Sequence, residues 1–204
     1  MRGGVVVELE PVYAVFLGLP SPIDRETASR WALEDSAAAF SGMIYGWTFE
    51  YEPGERARMI EEAVELSPLG AVPFGDERLR VTDVRSGDGI LSVWSDYTLA
   101  PEQAYRMDAW KASNTVGVNA TGTAPLQGAA GAKERRDIKF AALEDAVKKA
   151  IRAHLRLTNK NRPGSAAGRI ALERFPEFAV ADGRWTAHAR FRLHVASVTP
   201  FAVH

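Results

Sequence analysis

A pattern of elements that occurs twice in the same order most constrains the fold of this chain. Ala32-Leu33-Glu34-Asp35 recurs as Ala142-Leu143-Glu144-Asp145, and each copy lies on an alanine-rich stretch with helical spacing of apolar residues. Further along the chain, residues 88–99 align with residues 182–193, and both segments begin with Asp-Gly, a strong signal for a hairpin turn. Two matches in the same order, on the same kinds of element, predict an internal duplication.

Each repeated unit is predicted to consist of a strand, a helix and two further strands. An extended apolar stretch precedes each helix, at residues 5–17 and at 115–123, and a hairpin follows each helix. The predicted fold class is therefore α+β, with two duplicated β-α-β-β units whose helices pack on antiparallel sheets. We expect the first unit at residues 1–100 with an insertion at about 50–66, a connecting helix at 101–114, and the second unit at 115–204.

The two predicted helices have similar apolar stripes. Ser21-Pro22-Ile23-Asp24 predicts the start of the first helix, with Ser21 as its N-cap and Pro22 at its first position, and we expect it to run to about Ile44. The second helix is expected at about 134–157. The paired stripe positions are Leu33 with Leu143, Ala37 with Val147, Phe40 with Ala150 and Ile44 with His154.

Two segments between the first helix and the first hairpin carry their own predictions. Aromatic residues alternate strictly over 45–51, which predicts an additional strand after the helix. Residues 54–66 are predicted to form a short inserted helix.

The last predicted strand has one apolar and one basic face. Its apolar positions alternate with four basic ones, which is typical of a half-buried antiparallel strand. The apolar set is Ala187, Ala189, Phe191, Leu193 and Val195, and the basic set is His188, Arg190, Arg192 and His194.

The net charge of −1 conceals two halves of opposite sign. Residues 1–100 carry 8 Arg, no Lys and 17 acidic residues, whereas residues 101–204 carry 17 Lys and Arg and 9 acidic residues. Such a division predicts contact between unlike surfaces, either acidic half to basic half within one chain or head to tail between chains. The candidate partner-binding residues are His188, Arg190, Arg192 and His194 on the last strand, and Lys148, Lys149 and Arg152 on the second helix.

The sequence predicts no catalytic residue, metal site or cofactor. With no cysteine, thiolate metal sites and thiol nucleophiles are excluded, and no H-E-x-x-H or G-x-S-x-G motif occurs. His188 and His194 lie about 20 Å apart along one strand, too far to share a metal ion. His154 is expected to be a hydrogen-bonded interior histidine. No apolar run approaches the ~20 residues that span a bilayer, so no transmembrane segment is predicted.

A family resemblance covers mainly residues 115–195. The strand that ends in Ala120-Thr121-Gly122-Thr123-Ala124-Pro125, its small-residue loop and the alanine-rich helix around 140–150 resemble the strand-helix-strand-strand modules of bacterial surface lipoproteins and periplasmic flagellar-assembly proteins. Members of this kind are exported assembly or interaction modules without known catalysis. The resemblance implies the periplasm or cell envelope if a leader has been removed, and the cytoplasm otherwise.

The function that follows is a non-enzymatic protein-interaction or assembly module of the bacterial cell envelope. One alternative is an anion- or nucleic-acid-binding protein that uses the basic second half, where residues 133–162 hold ten basic and four acidic residues. Nucleic acid is the less favoured ligand because no recognised RNA- or DNA-binding motif accompanies the charge. A second alternative is an enzyme whose site lies between the repeats.

Overall fold

The α+β class and the antiparallel sheets are confirmed in a computed structural model, which describes residues 1–54, 59–112, 114–126, 132–158 and 163–200. Five strands and two helices precede the connecting helix in the described part of the chain, and the first of these helices is a single turn. These are β1 (Arg2–Glu8), α1 (Ala14–Leu17), α2 (Arg25–Ile44), β2 (Trp47–Glu52), β3 (Ala63–Pro68), β4 (Leu79–Gly87) and β5 (Ile90–Tyr97). The remainder forms α3 (Pro101–Ala109), β6 (Val116–Pro125), α4 (Ala132–Thr158), β7 (Pro163–Leu172), β8 (Glu177–Ala181) and β9 (Arg184–Pro200).

The strands form two sheets. The smaller sheet has the order β1-β5-β4 and is covered by α2. The larger sheet has the order β3-β2-β7-β9-β6, with β8 pairing the first part of β9, and is covered on one face by α4. Strands β2 and β3 belong to the first half of the chain, yet β2 pairs with β7, so they extend the sheet of the second half.

Both predicted hairpins are confirmed. Asp88 and Gly89 connect β4 to β5 with φ values of 50° and 72°, and Asp182 and Gly183 connect β8 to β9 with φ values of 51° and 67°. Two successive residues with positive φ are the signature of the type I′ turn, whose twist matches that of the strands it joins. The alternation in β9 is also confirmed, because its odd-numbered positions from Trp185 to Leu193 are buried.

Helix α2 begins later than the sequence predicted. Asp24, and not Ser21, is the N-cap, and its carboxylate accepts a hydrogen bond of 2.8 Å from the backbone nitrogen of Thr27. The end at Ile44 is confirmed. Leu33 is only half-buried, whereas Leu143 is buried, because Trp31 and Ala32 occupy the core side of this turn of α2.

The helix predicted over residues 54–66 is wrong where the structure describes it. Residues 63–68 form β3, whose Val64 and Leu66 pack on the core while Glu65 faces solvent. A period of two is the strand pattern, and pairing with β2 satisfies the backbone of this segment. Residues 55–58, also part of that prediction, lie outside the described residues.

Helix α4 confirms the predicted second helix and lies very close to β6. A Cβ atom at Gly122 would collide with the backbone nitrogen of Ala146 and the backbone oxygen of Ala142. The residues of α4 that face the sheet are small or aliphatic, among them Val147, Ala150 and Ile151. Small residues on both elements therefore allow a close approach that other side chains at 122 would prevent.

Helix α3 joins the two halves. Gln103 accepts a hydrogen bond from the backbone nitrogen of Ala100 and donates to the hydroxyls of Tyr45 and Tyr97. The indole nitrogen of Trp110 donates to the carbonyl oxygen of Ile44 at the end of α2. Within the described part of the chain, none of the helices is long and apolar enough to cross a membrane.

Candidate functional site

The four basic side chains predicted on the last strand share the outer face of the larger sheet. They alternate in β9 with buried residues such as Phe191 and Leu193, which pack against α4. Because successive side chains of a strand point to opposite faces, the basic set points away from α4. His188 and Arg190 are exposed, and Arg192 and His194 are half-buried.

Contacts within the chain already engage most of this basic set. Glu173 accepts a hydrogen bond of 2.8 Å from Nε of Arg190 and one of 2.9 Å from Nη2 of Arg192. His188 Nδ1 lies 2.9 Å from the hydroxyl of Thr121. His194 Nδ1 is buried and has no hydrogen-bond partner among the described residues. The strip therefore carries less free charge than its sequence suggests.

The three predicted cations of α4 lie on the opposite side of the larger sheet from the β9 strip. Lys148 and Lys149 both approach Asp145, at 3.4 and 2.8 Å. Arg152 bonds Glu62 at 2.7 Å, which is an ion pair between the acidic and the basic half of one chain. The structure therefore does not bring the seven candidate residues together on one surface.

The outer face of the larger sheet is electrostatically bipolar. Its acidic part is on the edge formed by β2 and β3, where Glu50, Glu52 and Glu65 are exposed and have no ion pair with the described residues. Its basic part is on β7 and β9, where Arg169 lies opposite His194, and Arg192 and Arg190 follow along β9 in contact with Glu173. Acidic and basic strips therefore lie side by side on one sheet face.

A buried ion cluster, which the sequence analysis did not predict, joins α2 to α4. The guanidinium of Arg135 donates two hydrogen bonds of 3.0 Å to the Asp35 carboxylate, and Lys139 Nζ donates a third of 2.6 Å. The side chains are 2%, 11% and 9% exposed for Arg135, Asp35 and Lys139. Two cations thus face one carboxylate in the interior.

Burial and charge act in opposite directions on the pKa values of this cluster. Burial alone would raise the pKa of Asp35, but the charges of Lys139 and Arg135 and their hydrogen bonds hold it below its usual value. Burial lowers the pKa of Lys139, opposed by Asp35 and reinforced by Arg135. The lowered pKa of Asp35 and the lowered pKa of Lys139 are both expected for a desolvated site in which two cations share one carboxylate.

Aromatic rings enclose the two cations. The guanidinium of Arg135 lies 4.7 Å from the ring centre of Trp31, and Lys139 Nζ lies 4.9 Å from that of Trp185 and 5.1 Å from that of Phe178. Such contacts stabilise desolvated cations. Three buried donors nearby have no acceptor among the described residues: the indole nitrogens of Trp31 and Trp185, and Nε of Arg135.

Asp35 belongs to the repeated Ala-Leu-Glu-Asp segment, and its side chain is only 11% exposed. One signal could have revealed the cluster: Arg135 and Lys139 are four residues apart and continue the buried stripe at Leu143. Basic residues on the core side of a helix require a buried anionic partner.

The Asp35–Lys139 pair lines a cleft between α2 and α4 with a volume of about 280 Å³. Buried residues line its interior, including Ala39, Gly42, Leu143 and Leu172. Exposed residues lie at its opening: Ala38, Pro68, Arg136 and Asp137. A second cavity of about 180 Å³ lies beside β1 and shares Asp35, Ala39, Lys139, Pro176 and Phe178 with the first.

A wider, open cavity of about 830 Å³ lies beside α3 at the His194 end of the outer face. Arg106, Arg169 and His194 line it together with Tyr105 and Trp110. His154 is elsewhere, on α4, and is half-buried; burial lowers the pKa of its imidazole. Among the residues described, no group of three or more His, Asp or Glu side chains is placed to hold a metal ion.

Comparison with known proteins places this architecture in a family. A protein-family model matches residues 7–201, a range that contains every strand except most of β1, together with the buried ion cluster and the cleft. The chain belongs to this family. An uncharacterised protein of Treponema pallidum (strain Nichols) is 26% identical over 171 residues, which cover 84% of this chain and 69% of the relative. No solved structure matches.

Proposed function

We propose that the protein is a non-enzymatic assembly module of the bacterial cell envelope, which binds a second copy of itself head to tail through the larger sheet. The observation that carries the proposal is the bipolar outer face, with Glu50, Glu52 and Glu65 on one side and Arg169, Arg190 and Arg192 on the other. The acidic strip of one copy complements the basic strip of the next, which favours unlike contact over symmetric self-pairing. The envelope location rests on the resemblance of the β-α-β-β modules.

Free strand edges favour the same arrangement. Strands β3 and β6 are the two edges of the larger sheet, and each has one strand partner among the described residues. An unpaired edge offers backbone donors and acceptors to another chain. Head-to-tail contacts of this type either close into rings or extend into filaments.

Charge reversal tests the proposal most directly. We expect wild-type protein to associate in about 20 mM salt and to dissociate in about 500 mM salt, because salt screens exposed charges over a few ångströms. The variant Arg190→Glu/Arg192→Glu and the variant Glu50→Arg/Glu65→Arg should each be monomeric alone. A mixture of the two should associate at low salt, since an acidic strip of one variant then meets a basic strip of the other.

Sedimentation velocity measures each of these outcomes. Arg30→Glu/Arg80→Glu is the control, because it makes the same change in net charge at exposed positions outside the larger sheet. A wild-type monomer at low salt overturns the proposed self-association, as does a mixture of the two reversed variants that remains monomeric. Finding the native protein only in the cytosolic fraction of its source bacterium overturns the envelope location.

We also propose that the two β-α-β-β units are duplicates. The order β1-β5-β4 in the first unit corresponds to β6-β9-β8 in the second, and the β4-β5 and β8-β9 hairpins both turn at Asp-Gly. Strands β2 and β3 would then be an insertion in the first unit. Superposing β1, α2, β4 and β5 on β6, α4, β8 and β9 tests this. Asp35 and Asp145 should coincide, and a shift of a full helical turn between them would contradict common origin.

A further inference from the structure

We propose that the cleft between α2 and α4 binds a small amphiphilic anion, with its apolar body in the cleft and its carboxylate beside Lys139. This site is separate from the outer sheet face and goes beyond the proposed assembly function. The ligand class follows from three properties of the cleft: its lining, its unused hydrogen-bonding capacity and its size.

The lining is mainly apolar, with the buried Asp35–Lys139 pair on its inner side and the charged residues Arg136 and Asp137 at its opening. Its larger apolar lining residues are Trp47, Phe140, Leu143, Leu172 and Phe178. Ligand sites in proteins are commonly apolar clefts in which one or a few polar groups fix the orientation of the ligand. Here the orienting group is the Asp35–Lys139 pair at the inner end.

The unused hydrogen-bonding capacity of the ion cluster consists of donors. Asp35 already accepts two hydrogen bonds from Arg135 and one from Lys139. Lys139 Nζ has three N–H donors and uses one of them in the described structure. The cluster also holds two cations against one carboxylate, so a ligand that brings acceptors and a negative charge neutralises it, whereas a cationic ligand adds to the excess.

The position of Lys139 gives the anion access to this capacity. Lys139 lines both the cleft and the smaller cavity beside β1, and it is the cation of the cluster that the cleft reaches. Arg135 lies behind it against Trp31. A ligand carboxylate at the end of the cleft would therefore contact Lys139 first. The positive charge of Arg135 behind it would add to the attraction.

The size of the cleft limits the apolar body. A cavity of about 150 Å³ accommodates a benzene molecule, and the cleft has a volume of about 280 Å³. A medium-length acyl chain or a phenylalkyl group is the appropriate occupant, and larger lipids would have to leave most of their chains outside.

Isothermal titration calorimetry with octanoate and with 4-phenylbutyrate tests the site. We expect saturable binding of at least one of them, with Kd below about 1 mM. Octanol has the same chain without the charge, and octylamine has the opposite charge; both should bind at least about tenfold more weakly than octanoate. The two carboxylates distinguish an aliphatic from an aromatic body.

Two variants locate the binding. Ala38→Leu places a larger side chain at the opening of the cleft from an exposed helical position, and should weaken binding at least about tenfold. Lys139→Met keeps the paired Arg135 and Asp35 but removes the cation that faces the cleft, with a similar expected loss. Ala153→Leu on an exposed position of α4 is the matched control and should bind within about twofold of wild type.

Several results would overturn the proposal. The first is that neither carboxylate binds at about 1 mM. The second is that octanol or octylamine binds as tightly as octanoate. The third is that the Ala38→Leu variant binds the carboxylate as tightly as the Ala153→Leu variant. If Lys139→Met does not fold, the comparison of Ala38→Leu with Ala153→Leu decides the location, and the three octyl ligands decide the charge preference.

Discussion

Replacing Asp35 with Asn tests whether the buried ion cluster holds α2 against α4. Asparagine has nearly the same shape, so the substitution removes the negative charge with little change in packing. Arg135 and Lys139 then remain in the interior, 2% and 9% exposed, without a counterion. Leaving a buried charge uncompensated costs about 3–5 kcal/mol, and we expect the free energy of unfolding to fall by that amount.

Asp145 provides the matched control, because it is the residue that aligns with Asp35 in the repeated Ala-Leu-Glu-Asp segment. It also contacts two cations, Lys148 and Lys149, but these side chains are 27% and 37% exposed. Exposed ion pairs contribute about 0–1 kcal/mol. Asp145→Asn should therefore lower the free energy of unfolding by about 1 kcal/mol or less.

Urea denaturation followed by circular dichroism measures both variants, with equal m-values as the check that the transitions are comparable. Lys139→Met should cost less than Asp35→Asn, because it leaves one carboxylate with one cation. A triple variant, Asp35→Leu/Arg135→Met/Lys139→Met, should recover most of the loss, as apolar replacements of buried ion clusters often do. Equal losses for Asp35→Asn and Asp145→Asn would refute the reasoning.

The pH dependence of stability gives an independent reading of the same cluster. The folded-state pKa of Asp35 is lowered, so its stabilising effect is complete above the unfolded pKa of about 3.9 and is lost as the pH falls through the lower folded pKa. Wild-type protein should therefore lose stability below about pH 4, and Asp35→Asn should lack this part of the loss. Parallel acid profiles for the two proteins would contradict the assignment.

Three further predictions concern packing and alkaline stability. Phe191→Ala should cost about 3–5 kcal/mol because the side chain is fully buried, whereas exposed Arg190→Ala should remain within about 0.5 kcal/mol; similar urea midpoints would show that the faces of β9 are misassigned. Burial raises the pKa of Tyr13 to about 12, whereas tyrosines in the unfolded chain ionise near pH 10. The free energy of unfolding should therefore fall as the pH rises from about 10 to about 12. Tyr13→Phe should remove this component from the alkaline unfolding profile. Gly122→Ala should cost about 3 kcal/mol or more, because the new methyl group would collide with the backbone of α4. Gly117→Ala in the same strand has room for the methyl group and is the control. Equal melting temperatures for the two variants would argue against the close approach of β6 to α4.

Local sequence patterns determined the parts of the fold that depend on local interactions. The Asp-Gly hairpins were predictable because few residues adopt the two positive φ angles of a type I′ turn. The two faces of β9 followed from strict alternation, and α4 followed from helical spacing over more than twenty residues. The N-cap of α2 was misplaced because Ser21 and Asp24 both have side chains that can cap a helix, and only the backbone conformation selects between them.

Tertiary structure alone decided which distant segments meet. The pairing of β2 with β7 joins residues more than one hundred positions apart. The alternating pattern of β3 extends over only six residues, too few to distinguish a strand from a short inserted helix by sequence. Asp35 likewise lies 100 residues from Arg135, and nothing adjacent to it in the chain marks it as buried. The opposite charges of the two halves were visible in the sequence, but only the placement of α2 beside α4 brings one acidic and two basic side chains together in the interior. Because water is largely excluded there, their interaction is strong and its disruption is costly.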